Sequence, residues 1–222
     1  MWSPALRASR IVRAATSGNS LTGSCDKIVC VGKNYLQHAK ELGDAIPKAP
    51  VLFNKPPSVG IQVSSEHITK VALPSPDRGE CHYETEIVLR MGENGQPAAV
   101  SLGLDLTLRD LQRHLKDNCL PWEIAKCFPS SIVVGPWVNV SDFPEYLDTE
   151  FSFSLDSQLR QQGRGRDMQW QPDFLIQYIS DCFPLLPGDL LFTGTPHGVG
   201  PLQQGQIAEM KWGDKLAYSV EF

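Results

Sequence analysis

Three acidic residues of the chain, Glu84, Glu86 and Asp105, have the type and spacing to hold a metal ion. Residues 82–91 read as a strand, in which successive side chains point to opposite faces, so Tyr83, Thr85, Ile87, Leu89 and Met91 share one side and Glu84 and Glu86 the other. Two like charges on one face are poor choices in a protein interior unless a cation lies between them, and by themselves they fit a solvated sheet face better. Asp105 closes a second apolar run, residues 100–104, just before a predicted helix, where it could also serve as an entry cap. Together the three offer only hard oxygen ligands, which suit Mg²⁺, Mn²⁺ or Ca²⁺ rather than zinc or copper. Three protein ligands leave positions open for water or substrate, as a catalytic ion requires.

Other residues could act beside them. His38 and Glu41 are three apart on a predicted helix, and a carboxylate next to imidazole raises its basicity and fixes its tautomer, as in a general base that activates water. An unimportant surface pair has the same spacing. Arg109 and Gln112 repeat that spacing off the apolar stripe of the next helix, where they could reach a carboxylate and a developing oxyanion. Lys126 follows Leu120-Pro121-Trp122 and Ile124-Ala125, neighbours that imply partial burial and a possible catalytic ammonium. The run Thr193-Gly194-Thr195-Pro196-His197-Gly198 has glycines enough to approach an anion closely but lacks the ending of a phosphate loop.

The elements needed to position these groups are mostly strands. Apolar, β-branched runs bounded by Gly and Pro predict strands at 28–32, 51–54, 68–73, 82–91, 98–106, 132–140, 151–155, 190–193, 207–212 and 215–222. Asn34 can cap a helix to about Leu42; Thr107 can cap one over 108–116; Pro172 opens one over 173–183. The order is not the regular alternation of a parallel α/β sheet, so the expected class is mainly β with a few helices.

Composition narrows the function further. A chain of 222 residues with 41% hydrophobic content can bury one sizeable core without staples. Twenty basic against 25 acidic residues give a net charge of −5, with no basic stripe beyond Arg13, which argues against nucleic acid. No apolar run reaches the roughly 20 residues of a membrane-spanning helix. The six cysteines form no C-x-x-C pair and are expected reduced; a zinc site on Cys81 with His82, or on Cys119 with Cys127, would have poor spacing. Residues 1–25 carry Arg7, Arg10 and Arg13 and no acid, the composition of a mitochondrial transit peptide, leaving 26–222 as the catalytic domain. A matrix location follows, with the cytoplasm as second choice.

Five segments in order resemble the fumarylacetoacetate hydrolase family: Val31-Gly32-Lys33-Asn34-Tyr35-Leu36-Gln37-His38-Ala39, Leu52-Phe53-Asn54-Lys55-Pro56-Pro57, His82-Tyr83-Glu84-Thr85-Glu86, Asp105-Leu106-Thr107-Leu108-Arg109-Asp110-Leu111-Gln112 and Thr193-Gly194-Thr195-Pro196. The Leu120–Lys126 stretch and the basic N-terminus look most like its mitochondrial acylpyruvase and oxaloacetate decarboxylase branch. Lys33 stands where many relatives carry Arg, Leu108 where Ala is common, and residues 203–222 match less well. The resemblance implies a mixed β-sandwich roll, a homodimer, and Mg²⁺ or Mn²⁺ on Glu84, Glu86 and Asp105. It makes His38 and Glu41 a water-activating dyad on a lid helix, and has Arg109, Gln112, Lys126 and Thr195 hold the carboxylate and carbonyl oxygens of a small oxo-acid. The implied reactions are hydrolysis of 3-acylpyruvates to pyruvate and a carboxylic acid, or decarboxylation of oxaloacetate. Tautomerisation of oxaloacetate or isomerisation of a 2-hydroxy-dienoate would use the same site, and a non-catalytic calcium module is the rival of another class.

Overall fold

The computed structural model describes residues 18–36 and 47–222. Among them strands dominate and helices are few, as the sequence pattern predicts. A mixed nine-stranded sheet runs, from one edge, through Asn19–Ser20, Gly60–Gln62, Ile132–Val134, Pro97–Asp105, Thr85–Met91, Leu190–Phe192, Ile28–Gly32 and Val51–Lys55, with Val138–Asn139 also paired to Pro97–Asp105. Its middle strands are covered on both faces, so Pro97–Asp105 and Thr85–Met91 are almost wholly buried and read as near-continuous apolar runs.

The second sheet has five strands, ordered Gln158–Gly163, Phe151–Leu155, Ile207–Trp212, Leu216–Glu221 and Thr69–Lys70. Here alternation is clean: Phe151, Phe153 and Leu155, then Ala208, Met210 and Trp212, turn inward. One apolar cluster joins these side chains to Ile87, Leu89, Leu102 and Leu104 of the large sheet. Tyr83 stacks on Phe153 at 4.4 Å between ring centres, and the Tyr218 hydroxyl donates to Leu102 O at 3.0 Å. Gly135 admits the Tyr218 ring: a Cβ there would lie 2.3 Å from it. A smaller cluster, including Ile28, Cys30, Val88 and Phe192, covers the other face.

Several boundaries differ from expectation for local reasons. The strand expected over 82–91 is broken at Glu84, because Cys81–Tyr83 leaves the large sheet to pair with Thr107–Leu108 and Gly200–Pro201. Gly135-Pro136 divides 132–140 into Ile132–Val134 and Val138–Asn139, since proline cannot donate to a ladder. The run 68–73 yields only Thr69–Lys70. The helix expected over 108–116 is Arg109–Asp117, with Leu108 at its entry and no side-chain cap, so Thr107 is not the cap. The helix after Pro172 covers Pro172–Cys182, and Phe183 is already extended. Within the segment expected to be a presequence, Asn19–Ser20 pairs with Ile61 and Gln62, and Leu21 is 2% exposed. Beyond Leu36 the helix expected to start at Asn34 lies outside the described residues.

Candidate metal centre

Register brings the three acids together. Thr85 pairs with Leu104 and Glu86 with Gly103, and Asp105 N–H donates to Glu84 O at 2.9 Å, so Glu84 and Asp105 face each other where the two central strands end. Each offers a carboxylate oxygen, and these atoms all lie within 4.8 Å of one another. Glu84, Glu86 and Asp105 are only 6, 2 and 1% exposed, so the solvated face that fits the two glutamates alone is not what the fold makes of them. Burial first, then the charges of Asp105 and Glu84, push the Glu86 carboxyl well above the usual range; only the Gly194 N–H, 2.7 Å from Oε2, and Lys126 act in the other direction.

Three cations surround the acids, and their ion pairs go to Glu84 and Asp105. The Lys126 ammonium donates to Glu84 Oε2 at 2.8 Å, Asp105 Oδ2 at 2.7 Å and Thr107 Oγ1 at 2.7 Å, and lies 4.9 Å from the centre of the Phe53 ring. Arg109 donates to Glu84 Oε1 through Nη2 and to Gln112 Oε1 through Nη1 at 2.8 Å, while its buried Nε has no hydrogen-bond partner among the described residues. The third cation, Lys55, is not among the functional residues the sequence suggests, although it lies inside the segment Leu52-Phe53-Asn54-Lys55-Pro56-Pro57. It ends the strand Val51–Lys55, is fully buried, and sits 2.5 Å from Asp105 Oδ1 while donating to Leu106 O and Ser131 O. A lysine whose neighbours are Pro56 and Pro57 gives no sequence sign that its ammonium faces inward.

Thr195 is present at the site in a different capacity from a simple donor. Its hydroxyl donates to Thr85 O at 2.8 Å and accepts from Gln161 Nε2 at 2.8 Å, so its proton is committed to the protein. Positive φ at Gly194 (+99°) is what turns the chain here, and a Cβ would meet Asn34 Cβ at 2.8 Å. Glu84, Glu86, Asp105, Arg109, Gln112, Lys126 and Thr195 line one pocket, together with an apolar wall of Val31, Phe53 and Trp122 and the half-buried Lys33 and Lys116. His38 and Glu41 lie outside the described residues. The cysteines are free, and among the described residues the cluster able to hold an ion is the carboxylate triad, not Cys81 with His82 or Cys119 with Cys127.

Residues 27–221 match the profile described as fumarylacetoacetate (FAA) hydrolase C-terminal. The chain belongs to the fumarylacetoacetate hydrolase family. It is 40% identical over 190 residues to oxaloacetate tautomerase YcgM of Escherichia coli, covering 81% of this chain and 84% of that protein. It is 36% identical to a mitochondrial oxaloacetate decarboxylase of Dictyostelium discoideum over 82% of this chain and 86% of the relative. A crystal structure of fumarylpyruvate hydrolase from Pseudomonas aeruginosa in complex with Mn²⁺ and pyruvate superposes with a TM-score of 0.82 at 31% identity, covering 93 and 95% of the two chains. The family match runs through residues 203–221, where the sequence motifs are thinnest.

Proposed function

We propose that this protein is a metal-dependent enzyme acting on small 2-oxo acids, cleaving the C–C bond of 3-acylpyruvates by hydrolysis or of oxaloacetate by decarboxylation. One observation carries the reading: three buried carboxylates converge beside a buried arginine whose Nε is unpaired. An all-oxygen set of this kind fits Mg²⁺ or Mn²⁺, and Glu84, Glu86 and Asp105 are the residues that would hold it. When bound, such an ion supplies Lewis-acid polarisation of a carbonyl and carboxylate pair. Charge adds support. The carboxylates are offset by Lys55, Arg109 and Lys126, and Lys33 and Lys116 also line the pocket, so a dication leaves it net positive, complementary to an anionic substrate such as oxaloacetate. The Mn²⁺ and pyruvate named in the Pseudomonas neighbour agree with that class.

The protein's own groups then divide the work. Arg109 Nε, with Gln112, receives the substrate carboxylate; Lys126 holds positive charge beside the oxygen on which charge develops; Lys33 and Lys116 draw anions in. His38, oriented by Glu41, takes the proton from water in hydrolysis, a role decarboxylation does not need. Tautomerisation of oxaloacetate is a second reading, favoured by the names of several relatives; it would use the same site, with His38 the group able to carry the proton between carbon and oxygen. A homodimer, as the family resemblance implies, and delivery to mitochondria, as relatives of that name do, complete the proposal. A presequence would end upstream of the paired strand Asn19–Ser20.

The test is a panel of acylpyruvates and oxaloacetate with Mg²⁺ or Mn²⁺ and with EDTA, products followed by NMR. Turnover should require the ion; full activity in EDTA would sink the metal reading. His38→Ala should lose about 10²–10⁴-fold in acylpyruvate hydrolysis, the usual worth of a general base, and keep most oxaloacetate decarboxylation.

A further inference from the structure

Gln161 has no place in the site as the sequence presents it. It lies in a polar strand, Gln158–Gly163, of the second sheet, yet its side chain is 1% exposed and every hydrogen bond it makes reaches toward the metal centre. Its Oε1 accepts from Thr85 N–H at 2.9 Å, and that amide sits between Glu84 and Glu86 in the chain. Its Nε2 donates to Thr195 Oγ1 at 2.8 Å and to Pro196 O at 2.9 Å. With Thr195 Oγ1 donating in turn to Thr85 O, the amide, the hydroxyl and the Thr85 peptide close a ring of hydrogen bonds that ties the 193–196 loop to the strand carrying Glu86.

Two further features show that this contact is built. A Cβ at Gly198 would stand 2.1 Å from Arg160 O, so the loop lies directly on the backbone next to Gln161, at a positive φ of 94°. Asn34, also fully buried, donates to Thr193 O at 2.8 Å from the opposite side. Between the two clamps, Gly194 N–H points at Glu86 Oε2 and occupies it. The carboxylate is thereby held in one orientation, with lone pairs still open to a ligand.

We propose that Gln161 is a positioning residue for the metal centre: by fixing Thr195 and Pro196 against Thr85 it holds the Gly194 N–H on one oxygen of Glu86 and so orients that carboxylate toward the ion. The inference rests on the metal reading of the triad but concerns a residue outside it. Gln161→Met removes all three hydrogen bonds. Gln161→Glu keeps the acceptor for Thr85 N–H but loses the donor and sets a carboxylate oxygen against Pro196 O, so it serves if the methionine variant does not fold.

Mn²⁺ affinity, measured by calorimetry on the full chain well below its melting temperature, is the readout, because a residue that only supports the fold leaves the affinity of the folded protein unchanged. Each variant that folds should bind Mn²⁺ about tenfold or more weakly than the parent, the worth of one or two net hydrogen bonds. In the background Thr195→Val, where the hydroxyl link is already cut, the further loss on adding the Gln161 change should shrink to threefold or less, while in Thr195→Ser it should stay near its full size. Folded Gln161 variants with parental Mn²⁺ affinity, or losses that multiply fully with Thr195→Val, would overturn the proposal. Failure of the parent chain itself to bind Mn²⁺ would instead refute the metal reading.

Discussion

Lys126 carries the electrostatics of the pocket. Burial acts to lower its pKa, but the carboxylates of Asp105 and Glu84 outweigh that and hold it above the ordinary lysine value, so the side chain is a fixed cation and no proton acceptor near neutral pH. All three ammonium protons are directed at oxygens of Glu84, Asp105 and Thr107. Removing one partner of such a buried cluster leaves the others uncompensated, a loss of about 3–5 kcal/mol. Lys126→Met should therefore lower the unfolding free energy of EDTA-treated protein by that amount in urea titrations. Mg²⁺ or Mn²⁺ should recover part of it, since a dication supplies the charge the methionine lacks, while turnover remains low. An unchanged stability in EDTA would show that the two carboxylates do not depend on the ammonium.

Thr107 shows how strand pairing redefined a side chain. As a helix cap its loss would cost about 0.5–2 kcal/mol of stability and leave the pocket alone. In the structure it belongs to the short strand Thr107–Leu108, its hydroxyl donates to Asp105 O at 3.2 Å, and it accepts from Lys126. Thr107→Val should therefore lower kcat/KM by about ten- to a hundredfold, the worth of a hydrogen bond to a charged group, and Thr107→Ser should restore it. Circular dichroism should show the same helix content in both; a fall in helicity with the pocket's activity intact would return Thr107 to the capping role. The same contrast marks what the sequence makes legible. Alternation alone locates Phe151–Leu155 and Ile207–Trp212, because each has one buried face. The break at Glu84 is invisible, since it depends on Cys81 and His82 pairing with Leu108 and Thr107 across a different sheet. Gln158–Gly163 carries almost no apolar signal, so neither the strand nor Gln161 stands out, and Lys55 reads as an ordinary strand-end lysine until Asp105 is placed beside it. Acids, arginine and Lys126 are found by type and order; the residues that hold them are found only by contact.

The thiols connect the two apolar clusters to the behaviour of the whole chain. Cys30 lies in the smaller cluster and Cys81 in the larger, on opposite sides of the central sheet. Burial pushes the Cys30 thiol well above 9.0 and the Cys81 thiol up to about 12. Both values are raised in the folded state. Below pH 9, thiols are protonated folded or unfolded, and their contribution to stability is full; above it the unfolded chain releases protons that the folded chain retains, so stability is lost as pH rises through the folded values. For each buried thiol the loss approaches about 1.4 kcal/mol per pH unit. Urea unfolding in reductant at pH 8, 9, 10 and 11 should show the unfolding free energy of the parent falling steeply above pH 9. Cys81→Ala should fall less steeply by about 1.4 kcal/mol per pH unit between pH 9 and 11, since that thiol no longer titrates in the unfolded chain. Equal slopes for the parent and Cys81→Ala would mean that the interior opens to solvent at Cys81 before the molecule unfolds, and that the two clusters do not melt as one unit.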